Sequence, residues 1–182
     1  MIKMTGLFLI GLAAAAFAAD APAPASKAFD QQLKMIESEL VPLAEAMPAD
    51  KYDFAPKQGE FATVRTFGQQ VAHIAAVIYL CSASVLGEPV PKEAGKGENG
   101  PPTLKTKEDY VKYLKASFVY GHKAMNSVTA GNLLENIKSP FGDGDVPRVS
   151  MVTAPVWHSF DHYGQIVVYA RMNGVIPPAS RK

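Results

Sequence analysis

The chain has 182 residues, of which 48% are apolar and 19% charged, with a formal net charge of +1. A charge so close to zero argues against a nucleic-acid binder working by phosphate neutralisation and against docking on an anionic membrane surface. A single cysteine, Cys81, excludes an intramolecular disulfide, so the fold must rest on its core or on a metal.

The N-terminus reads as a targeting segment. Lys3 supplies a positive start, residues 6–16 form an apolar run, and Ala16–Phe17–Ala18 fits the small-x-small cleavage rule. The expectation is a secretory signal peptide over residues 1–18 and a secreted or periplasmic protein. The apolar run is shorter than the roughly 20 residues of a membrane span; a retained N-terminal anchor is the alternative. Residues 19–27, with alternating Ala and Pro, are expected as an extended tether. Residues 28–176 then form one domain, and residues 177–182 a C-terminal tail.

A first helix is predicted over residues 27–47. Phe29, Leu33, Ile36, Leu40, Leu43 and Met47 step by fours and threes, which makes an apolar stripe. Pro42 removes one backbone donor and is expected to kink the last turn. In the loop that follows, Tyr52, Phe54 and Phe61 are too apolar to float free and should pack on the bundle. A second helix is predicted over residues 63–86, closed by Gly87 and Pro89. Its apolar face is wide, and Cys81 reads there as a small buried hydrophobe. His73 lies inside the same face. A core histidine satisfied by a backbone carbonyl or a polar side chain is one reading of it; a ligand is the other.

Residues 88–102 form a Gly/Pro/Lys-rich connection without pattern, long enough to be mobile. A third helix is predicted over residues 105–127, opened by Thr106 and Asp109 in the manner of a capping box. His122, between Gly121 and Lys123, reads as exposed and inert. In the next long connection Leu133, Leu134 and Ile137 suggest a short helical turn. The turn at residues 142–145 lacks the spacing of a calcium loop.

The fourth helix starts near Ser150 or Thr153, so that Pro155 falls in its first turn, and stops at Asn173–Gly174. It carries His158 and His162. Four residues on a helix bring a side chain back to within about 40° of the first, so the two imidazoles lie one turn apart on one side and can share a metal ion. Trp157 and Tyr169 read as packing residues. Asp161 and Gln165 lie within a turn of the pair and are candidates to orient an imidazole or a bound water, or simply solvated.

Four amphipathic helices without an alternating strand pattern predict an all-α fold, a four-helix bundle with long connections. Bundles build metal sites between facing helices, so His73 can meet His158 and His162. No Glu-x-x-His motif of a di-iron centre is present, no Cys-x-x-Cys-His of a c-type haem, and Ser159 stands where a zincin would carry its Glu.

Three segments in order carry a family resemblance: residues 65–75 around His73, residues 158–166 with both later histidines, and Gly174–Val175–Ile176–Pro177–Pro178. Together they resemble the DinB-like (YfiT-like) four-helix-bundle superfamily. That resemblance implies that His73, His158 and His162 are three protein ligands of one divalent metal. Zinc comes first, with nickel and iron also suited to imidazole. It implies a metal-dependent hydrolase or group transferase using the open coordination position, with a non-catalytic metal- or small-ligand-binding protein as the alternative. Family members include transferases and isomerases that use cytoplasmic low-molecular-weight thiols, a compartment this leader does not indicate. Partners are then a small-molecule substrate or ligand and, through exposed parts of helices one and three, a second copy in a homodimer.

Overall fold

A computed structural model describes residues 24–142 and 144–181. The expected leader and most of the tether lie outside the described residues. Four helices dominate: α1 (Ala25–Ala46), α2 (Phe67–Leu86), α3 (Lys107–Asn126) and α4 (Arg148–Met172). A two-stranded antiparallel hairpin, β1 (Asn136–Lys138) and β2 (Asp145–Pro147), precedes α4, with Ile137 opposite Val146.

Side-chain capping opens α2 and α3, whereas α1 and α4 start after Pro24 and Pro147 without it. Thr66 caps α2: its hydroxyl accepts from the Gln69 N–H, while the Gln69 side chain accepts from the Thr66 N–H, so two otherwise orphaned donors are satisfied. Gly87 closes α2 at φ 67°, in the left-handed region that glycine enters without a Cβ penalty. Thr106 and Asp109 form the expected capping box on α3. The backbone N–H groups of Thr106 and Lys105 hold the Asp109 carboxyl below the usual carboxylate range. The first helix starts at Ala25, inside the expected tether, and continues through Pro42.

The packing order positions the site. α2 packs on α3 and α4, and α1 packs on the same two helices. α1 and α2 are therefore diagonal across the bundle, and the groove between α2 and α4 brings His73 beside the α4 histidines. Leu33, Ile36, Leu40 and Leu43 of α1 are fully buried, with Phe67, Ile74 and Ile78 of α2 and Leu114 and Phe118 of α3. By length and composition alone α2 could cross a membrane, but most of it is buried in the bundle. Cys81 is completely buried, and burial pushes its thiol up to about 12, so it behaves as the inert hydrophobe expected.

Several expectations are corrected. The α4 helix begins at Arg148, so Pro155 stands about two turns in rather than in the first turn. The Met151 carbonyl there loses its helical donor. Residues around Ile137 form the hairpin, not a helical turn. Tyr52 and Phe54 do pack: the Tyr52 hydroxyl donates to the Ala44 carbonyl, and Phe54 meets Tyr169 edge to face. Phe61 does not, being 42% exposed. The connection after α2 is folded back on the bundle with two short 3-10 turns, Lys92–Ala94 and Gly97–Asn99, the second resting on α2. Gly95 makes this compactness possible, since a Cβ there would lie 2.6 Å from the Pro101 nitrogen.

His122 is the largest departure. It is half-buried between α1 and α3, with Nδ1 2.7 Å from the Asp30 carboxylate and Nε2 3.0 Å from that of Glu37. Burial lowers its pKa, but the hydrogen bonds to Glu37 and Asp30 outweigh that and raise it. A histidine raised in the fold contributes stability in full below its unfolded value of about 6.5 and loses it as pH rises through the folded value. His122→Gln keeps a donor and loses the charge. It is expected to cost about 1 kcal/mol near pH 5.5, an estimate for partly exposed charge-assisted bonds, and much less at pH 9. Urea unfolding at the two pH values measures the difference.

Candidate metal centre

Three imidazoles from two helices meet in the α2–α4 groove. His73 is 4% exposed and sits on the widened face of α2. His158 and His162 are half-buried, one turn apart on α4. The ring centroids of His73 lie 4.8 Å from His158 and 4.7 Å from His162, and those of the α4 pair are 4.5 Å apart. One ring nitrogen from each residue can be chosen so that all three lie within 4.8 Å of one another, close enough to hold a metal ion. The expectation that His73 would cross to the α4 pair therefore holds in space.

The tautomer of His73 follows from its partner. Its Nδ1 lies 2.7 Å from the Glu98 carbonyl oxygen, which can only accept. Nδ1 therefore carries the proton, and Nε2 presents a lone pair toward His158, whose own Nε2 is 3.1 Å away. Both sequence readings of His73 are thus true of one ring: a carbonyl satisfies one nitrogen, and the other faces the α4 histidines. The Nδ1 atoms of His158 and His162 are buried without a hydrogen-bond partner.

Electrostatics keep the rings neutral. Desolvation, then the neighbouring His162 and His73, lower the pKa of His158 to about 3. Desolvation and His73 lower that of His162 to about 4, against an opposing pull from Asp161. Burial also lowers His73. Neutral imidazoles with free lone pairs are the form that binds a cation. Arg65, hydrogen-bonded to the Asn99 side chain, adds positive potential at all three rings.

The surrounding residues are placed as follows. Among the described residues neither Asp161 nor Gln165 hydrogen-bonds an imidazole. Gln165 accepts from the buried Gln70 side chain at 3.0 Å and donates to Asp161 at 3.2 Å, a bridge across the groove beside the triad. Tyr169 is buried as expected, but Trp157 is 61% exposed, a correction to its reading as a packing residue. His122 is remote from this cluster in its bonding, tied to α1. Glu98 was missed in the sequence because it lies in a connection with no periodic pattern, and only the folded loop shows its carbonyl on His73.

A cavity of about 540 Å³ adjoins the triad, lined in part by His158, Val77, Ala154, Trp157 and Glu98. Val77 is one turn on from His73 and Ala154 one turn back from His158, so the cavity continues the groove that holds the histidines. Its size is that of a small-molecule site.

The comparisons with known proteins agree with the fold. The DinB superfamily model matches residues 32–166, and the chain belongs to that family. Among solved structures it is similar to a DinB-like protein from Bacillus cereus, with a TM-score of 0.64 and 16% identity over 84% of this chain and 95% of that one. It is also similar to the DinB-like protein YjoA from Bacillus subtilis, with a TM-score of 0.62 and 19% identity over 81% of this chain and 92% of that one. At such identities the likeness shows the fold alone. No curated protein matches the chain.

Proposed function

We propose that this DinB-superfamily protein binds one divalent metal through His73, His158 and His162, zinc first, and works as a metal-dependent hydrolase or group transferase. The carrying observation is the convergence of three neutral imidazoles whose available nitrogens lie within 4.8 Å of one another. The donor set fits the group. Three nitrogens leave a tetrahedral zinc one open position, the arrangement that separates catalytic from structural sites. When bound, the ion supplies Lewis-acid activation. His73 is oriented for it by the Glu98 carbonyl, and α4 holds the other two rings one turn apart.

The cavity beside His158 favours the enzyme over a protein that only stores metal, because a substrate has room next to one of the three ligands. The alternative, a non-catalytic metal- or small-ligand-binding protein, draws on a different observation. Among the described residues no carboxylate hydrogen-bonds into the triad, and Glu98 is the one acidic residue among those lining the cavity. We place the protein outside the cytoplasm on the strength of Lys3, the apolar run and Ala16–Phe17–Ala18. N-terminal sequencing of exported protein beginning near Ala19 checks that placement.

The functional test begins with the metal. Titrating chelator-stripped protein with zinc is expected to give one site per chain and a melting temperature that rises with zinc concentration. A ligand bound only by the folded state stabilises it by about 4 kcal/mol at a thousandfold excess over Kd. A flat melting curve together with no calorimetric heat rejects the metal. With stoichiometry established, a panel of ester, amide and group-transfer substrates separates the enzyme from the binder.

A further inference from the structure

The geometry points to a ring-bearing, predominantly apolar small molecule as the occupant of the cavity beside the triad, held by Trp157 and Phe141 and offering one donor group to the metal. This rests on the metal reading above and adds the chemical class of the ligand.

The wall of the cavity is graded. Val77, Met151 and Ala154 are buried and apolar and form its inner part. Phe141 from the hairpin turn and Trp157 from α4 also line it, yet they are 45% and 61% exposed. Two large aromatic side chains from separate elements, left in solvent at the outer part of an apolar cavity, lose free energy until something covers them. Their flat faces suit a ring, through offset or edge-on stacking in addition to area burial. His158 fixes the other end, because it belongs both to the cavity wall and to the metal cluster. An occupant therefore reaches from the aromatic pair to the metal. Its donor group would meet a bound ion at the His158 end, and its apolar body would lie against Val77, Met151 and Ala154.

Glu98 is the acidic residue among those lining the cavity, and the rest are uncharged apart from His158 at the metal end. A compact molecule with a single donor at one end and an uncharged ring at the other suits these walls.

Two hydroxamates that share one metal-binding group isolate the ring. Benzohydroxamate and acetohydroxamate are titrated by calorimetry into the zinc-loaded chain. Trp157 is the chain's single tryptophan, so its fluorescence gives a second readout of the same event. Benzohydroxamate is expected to bind about tenfold more tightly or better, the scale of burying a ring in an apolar site. That ratio should collapse toward unity in W157A and in F141A, whose exposed positions leave the fold intact, while zinc affinity stays at the wild-type value. Equal affinities in the wild type, or a ratio unmoved in both variants, overturn the assignment and leave the metal reading standing. A wild-type chain that binds no zinc overturns the metal reading, and the assignment falls with it.

Discussion

Replacing His158 with Ala is expected to weaken zinc binding by more than about a hundredfold, since loss of even a supporting partner behind a metal ligand costs 10- to 100-fold. The helices should remain. The core is carried by the apolar residues of all four helices, and His158 is not among them. Without metal the variant should melt close to the stripped wild type or slightly above it, because the His158 Nδ1 is a buried polar atom with no partner. The zinc-dependent rise in melting temperature should disappear. Calorimetry and thermal melts with and without zinc check both parts. A His122→Ala variant run alongside should keep wild-type zinc affinity, since His122 spends both nitrogens on Asp30 and Glu37.

Phe118→Ala is expected to be among the most damaging single changes to the fold itself. Phe118 is fully buried on α3 and belongs to the central cluster. Removing a buried phenyl costs its transfer free energy plus a cavity term, about 3–5 kcal/mol together. For a domain of this size that corresponds to a fall in melting temperature on the order of 10 °C. Denaturant unfolding should show a lower midpoint with an unchanged slope. The site should follow the fold: zinc restores part of the lost stability, because the α2–α4 groove survives while the chain is folded.

The acid side of the stability curve combines two opposite effects. His158 and His162 are lowered in the fold, so the stripped protein loses stability as pH falls from about 6.5 toward their folded values. His122 is raised, so its contribution is retained there and lost on the alkaline side.

What could be read in the sequence, and what could not, divides along one physical line. Periodic features were legible. The stripe from Leu33 to Leu43, the wide face of α2 and the one-turn spacing of His158 and His162 all follow from 3.6 residues per turn. So did the box at Thr106 and Asp109 and the stop at Gly87, which are local hydrogen-bond chemistry. Features made by two distant segments were not. His122 looked inert because its partners, Asp30 and Glu37, are on another helix, two turns apart on one face. Glu98 looked featureless because its carbonyl reaches His73 only when Gly95, Gly97 and Gly100 fold the connection back with positive φ. Trp157 reads as a packing residue because large aromatics usually are; in the fold it lines the cavity beside the triad and stays 61% exposed. The early start of α4 was hidden by Pro155, a residue that normally marks a first turn.

X-ray absorption at the zinc edge, on the metal-loaded full chain and on a variant with all three histidines replaced by Ala, tests the central claim most directly. The account predicts three imidazole nitrogens at about 2.0–2.1 Å with one oxygen donor in the remaining position, and no bound zinc in the variant. A spectrum with fewer than three imidazoles, or stoichiometric zinc retained by the triple variant, would contradict it.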